Sequence, residues 1–62
     1  MDENAGFEII NGLKNEAMVL YEIYAVDQDN GIAVAIHKIV DAINIIERKV
    51  HGQAITTVYD LK

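Results

Sequence analysis

Two pairs of side chains stand at a spacing that metal chemistry uses. His37 precedes Asp41 by four residues, and Glu47 precedes His51 by four. Residues four apart share a face of a helix, so each pair could grip a metal ion edge-on through an imidazole nitrogen and a carboxylate oxygen. His37 and His51 also fall at one heptad position, two repeats apart. At 1.5 Å per residue they are about 21 Å apart along a helix axis. One site within the chain cannot use both, and a full coordination shell needs ligands from another chain. Solvated pairs on a helix face are therefore the expectation. His37 raises a second idea, a phosphoacceptor on a helical bundle, but its neighbourhood AIHKIV offers a phosphate only Lys38.

Other chemistry is thinly provided. The chain has no cysteine and no serine, which removes thiol nucleophiles, thiolate metal sites, disulfides and serine-based triads. Its glycines, at 6, 12, 31 and 52, are isolated and form no phosphate-cradling loop. No carboxylate pair has a clear pocket-forming context. The expectation is a protein that is not an enzyme, with no cofactor and no metal.

The elements that position these residues hinge on AMVLYEIYAVDQDNGIAVAI, residues 17 to 36. One reading is two strands around an Asn-Gly turn, with alternation at Tyr21, Ile23, Ala25 and at Ile32, Val34, Ile36. Sixteen isoleucines and valines against three leucines lean the same way. The other reading is two helices. Ile10, Leu13, Ala17, Leu20 and Tyr24 follow spacings of 3, 4, 3, 4, and Ile32, Ile36, Ile39, Ile43, Ile46 and Val50 follow 4, 3, 4, 3, 4. Both are seams of packed helices. Asp29 and Asn30 can cap the second helix, Arg48, Lys49 and His51 suit its end, and Gly52 suits the turn beyond it. The helical series explain Ile10 to Val50, whereas strands explain about a dozen residues. The spacing predicts helix 1 over about 4–27, a loop at 28–30 and helix 2 over about 30–51. The alternative is an α+β fold with a central β-hairpin. Ile55 to Tyr59 favour a strand, so residues 53–62 are read as a short extended tail.

Sixty-two residues make a single small domain, 1–62, near the lower limit for folding alone. Yet 52% of the chain is hydrophobic, and several apolar residues lie outside one narrow seam. Two hairpins packing as a homodimeric four-helix bundle would cover them. The fold expected is all-α, with the dimer interface on Ile32, Ala35, Ile36, Ile39, Ala42, Ile43 and Ile46 of helix 2. Leu13, Ala17, Leu20 and Tyr24 of helix 1 complete it.

Net charge is −5, with −6 in residues 1–30 and +1 in residues 31–62. The only basic cluster is ERKVH, residues 47 to 51, which argues against nucleic acid. The start, MDENAG, lacks the basic region of a signal peptide. The longest nearly apolar run, 17 to 26, is too short to span a bilayer. A cytoplasmic protein without a membrane segment is expected. The function expected is that of a small homo-oligomeric, protein-binding regulator or adaptor. Its candidate contact residues are Glu8, Glu16 and Glu22 on helix 1, Arg48 and Lys49 at the end of helix 2, and Val58 and Tyr59 on the tail, by strand addition. Two alternatives stay open: a nucleic-acid-binding regulator using the basic end of helix 2, and an acidic mimic of nucleic acid. A dimerising hairpin of this length is similar in outline to small plasmid-encoded RNA-binding bundles. No motif carries that likeness, and helix 1 is acidic where those bundles are basic and polar.

Overall fold

Asp2 opens the first helix by accepting a hydrogen bond from the Asn4 N–H at 3.3 Å, which satisfies one of the donors a helix start leaves free. In the computed structural model, which describes residues 2–61, helix α1 then runs Glu3–Asp27. It stops because Gln28 turns into the left-handed region, φ 52°, with its N–H on the Tyr24 carbonyl at 2.7 Å. Asp29 caps the next helix at once, accepting from the N–H of Gly31 at 2.7 Å and of Ile32 at 3.2 Å. Two residues thus reverse the chain. Helix α2, Asn30–His51, returns antiparallel and ends at Gly52, φ 83°, whose N–H reaches the Arg48 carbonyl at 3.1 Å. Few residues other than glycine hold that φ cheaply. The helical reading of residues 17–36 is correct, and the β-hairpin alternative is not: all regular structure among the described residues is helical. Met1 and Lys62, the ends of the expected domain, lie outside the described residues.

The tail departs from expectation. Residues 54–57 have no regular structure, and Val58–Leu61 form one turn of 3-10 helix rather than a strand. A lone strand has no ladder to join, so its donors are satisfied otherwise. The N–H groups of Ile55 and Thr56 go to Glu47, and that of Thr57 goes to the Asp60 carboxylate at 2.8 Å. The tail folds back along the helix pair and buries Leu61 against Ala17 and Val40.

The core is small. Ile10 and Ala17 of α1, Ile36, Val40 and Ile43 of α2, and Leu61 are its buried apolar members, and Ile43 is the largest side chain fully enclosed. Along α2 the buried stripe is Ile36, Val40, Ile43 and Glu47. It is turned one helical position toward the tail from the isoleucine seam. Ile32, Ile39, Ile46 and Val50 are only half-buried.

Candidate functional site

Of the two pairs with metal-binding spacing, the structure keeps one outside and splits the other. His37 and Asp41 are both exposed. Glu47 and His51 do not form a solvated pair. His51 is exposed, with its ring 5.3 Å from that of Phe7, whereas Glu47 is only 2% exposed. No group of three or more His, Asp or Glu among the described residues is placed to hold a metal.

Glu47 instead clamps the tail. Its Oε1 accepts from the Asn44 amide at 2.9 Å, the Ile55 N–H at 3.1 Å and the Thr56 N–H at 3.0 Å. Its Oε2 accepts from the Thr56 hydroxyl at 2.7 Å. The Asn44 amide also donates to the Thr56 carbonyl at 2.9 Å. Every polar group of Thr56 is therefore held by two residues of α2, and Thr56 is itself buried. Burial alone would push the Glu47 carboxyl up. The Thr56 hydroxyl, the Thr56 and Ile55 N–H groups and the Asn44 amide outweigh it, and hold the carboxyl down at about 2 against an ordinary 4.5. Glu47 is an anion fixed by neutral donors. It is a structural clasp with no open position for a substrate.

The tail divides the surface in two. It lies over the flank of α1 that carries Met18 and Tyr21 and the flank of α2 that carries Asn44. Each residue turns about 100° around a helix. Ala35, Ile39, Ala42 and Ile46 therefore point roughly half a turn away from Asn44. Ile9 and Ile23 likewise point away from Met18 and Tyr21, and Leu13 and Leu20 away from Met18, at about a quarter turn from Tyr21. Most of both sets lie toward the side of the hairpin away from the tail, although Ile39 also packs against the cluster of Ala17, Val40 and Leu61. Ile9 and Ile23 are 43% and 45% exposed, and the other six are half-buried. Glu16 is the acidic residue within this face.

The expected interface residues separate accordingly. Ala17, Ile36 and Ile43 are consumed by the hairpin's own core. Ile39 packs against the core from its edge, Leu13, Leu20, Ile32, Ala35, Ala42 and Ile46 flank the open face, and Tyr24 turns to a cleft with Tyr21, Ala33, Ile36 and His37. Of the candidate contact residues, Glu8, Glu16, Glu22, Arg48, Lys49 and Tyr59 are exposed, and Val58 is half-buried against the core. They do not gather into one site. Strand addition by the tail lacks its means, because the N–H groups of residues 55 to 57 are already engaged.

The class these features define is a helical hairpin closed on one side by its own clasped tail and apolar on the other. No described helix is long and apolar enough to cross a membrane. No protein family, no curated protein and no solved structure matches the chain.

Proposed function

We propose that the protein is a protein-binding adaptor built on a homodimeric four-helix bundle, in which two hairpins meet through the face opposite the tail. The supporting observation is that open face. It is a largely apolar strip contributed by both helices and interrupted by Glu16, on a chain with six buried apolar residues among those described. Ala35 and Ala42, seven residues apart, let a second helix approach closely. The two helices have 25 and 22 residues, so a second copy matches the strip along its whole length. Dimerisation leaves the outer side of α1, with Glu8 and Glu22, and the tail side, with Tyr59, for another protein.

Amide spectra of ¹⁵N-labelled protein over a hundredfold concentration range test this reading. Self-association through the face shifts or broadens Leu13, Leu20, Ala35, Ile39, Ala42 and Ile46 and leaves Ile55 and Thr56 unchanged. Spectra independent of concentration, with the relaxation of a 6.9 kDa particle throughout, would overturn it.

A further inference from the structure

The tail side of the hairpin already holds one peptide segment, residues 55 to 61, between Glu47 at one end and Ala17 and Val40 at the other. A cleft of about 350 Å³ is lined by Met18, Tyr21, Glu22, Ala25 and Leu61, and a smaller one of about 100 Å³ adjoins it across Tyr21. The larger lies at the low end of ligand-pocket volumes. It has room for one or two side chains and is too small to enclose a cofactor. Among the described residues its walls are apolar except for the Tyr21 phenol and the exposed Glu22 carboxylate.

We propose that this cleft is a docking site for a short basic and apolar segment of a partner protein, a leucine-like side chain next to an arginine. The proposal rests on the adaptor reading and names its partner class. Charge selects the occupant. Glu22 lines the cleft, Asp27 and Asp29 follow it toward the loop, and no lysine or arginine lies between Lys14 and Lys38. Such a field draws in a cationic segment and repels an acidic one. Met18, Ala25 and Leu61 present the apolar floor, with Met18 49% exposed and an adaptable thioether. The exposed Glu22 carboxylate lies at the rim, where it can pair with a guanidinium. The cleft and the open dimer face lie on opposite sides of the hairpin, so both can be occupied in one assembly.

The test uses the ¹⁵N-labelled 62-residue protein and a capped tetrapeptide, Arg-Leu-Leu-Arg, with capped Glu-Leu-Leu-Glu as control. The expected result is saturable shifts at Met18, Tyr21, Glu22, Ala25 and Leu61 with the basic peptide, weakening as salt is raised, and none with the control. Glu22→Gln removes an exposed charge without touching the core and weakens binding about two- to fivefold, the worth of a surface ion pair. Equal binding of both peptides, shifts centred on Ala35 and Ala42, or no shift at millimolar peptide would each overturn the proposal. Sedimentation of the same samples reads self-association separately. A dimer that ignores the peptide fails this proposal alone, and a monomer that binds it fails the dimer alone.

Discussion

Replacing Glu47 with glutamine removes one charge from the clasp and little else. The amide oxygen can take the place of Oε1 and accept from Ile55, Thr56 and Asn44, while the new NH₂ meets the Thr56 hydroxyl, which can accept. What is lost is the charge assistance of those bonds. Folding lowers the Glu47 carboxyl from 4.5 to about 2. At about 1.4 kcal/mol per pH unit, that sets a ceiling near ~3 kcal/mol. The sign follows from the direction: a carboxylate depressed by folding stabilises the native state fully above its unfolded value. That stability is lost as pH falls from about 4.5 through 2. With hydrogen bonding kept, Glu47→Gln costs about 1–2 kcal/mol at pH 7, a large share of the ~3–9 kcal/mol that a chain of this size possesses. Urea unfolding of wild type and variant, at steps from pH 7 to pH 2.5, reads the difference and cancels the other carboxylates. The gap between the two proteins should narrow steadily below pH 4.5. A gap that stays constant across that range would refute the reasoning, because it would show that the charge is not what holds the tail.

Two further substitutions test the backbone argument. Gly12 lies exposed in mid-α1, and a Cβ there meets nothing within 4 Å, so Gly12→Ala should stabilise by about 1 kcal/mol. In a chain this short the thermal midpoint should rise by roughly 4–8 °C. Gly52 has equally open surroundings but a φ of 83°, so Gly52→Ala should destabilise by about 1 kcal/mol. Because Gly52 directs the chain back onto the helices, faster chymotryptic cleavage after Tyr59 should accompany the loss.

Much of the scaffold was legible because its signals are local. The 3-and-4 spacing, the Asp29 cap and Gly52 each act within one helix turn, and they place α2 at Asn30–His51. The rotation of α2 was not legible. Ile32, Ile36, Ile39, Ile43, Ile46 and Val50 form one regular series, while Ile36, Val40, Ile43 and Glu47 form another with the same period. Where both stripes are largely aliphatic, periodicity cannot choose between them. The choice is made by the tail, which supplies Leu61 to Val40 and donors to Glu47, and that contact spans nine residues of sequence at Thr56. Read forward, an acid on an aliphatic stripe followed by two threonines was the available signal for the clasp. The strand propensity of Ile55 to Tyr59 misled because propensity supplies no ladder. The pattern Thr57-x-x-Asp60, a capping motif, marked the turn that forms. The clefts beside Tyr21 could not be foreseen, since their walls come from α1, α2 and the tail together.

Sedimentation equilibrium of the wild type and of Ala42→Glu, from low micromolar to high micromolar concentration, tests the assembly most directly. Ala42 lies on the open face and is only half-buried, so the glutamate leaves the hairpin folded and places a charge where the second copy sits. The wild type is expected to sediment at twice the chain mass of 6.9 kDa and the variant at the single mass. A wild type that stays at the single mass across the range, matching the variant, would contradict it.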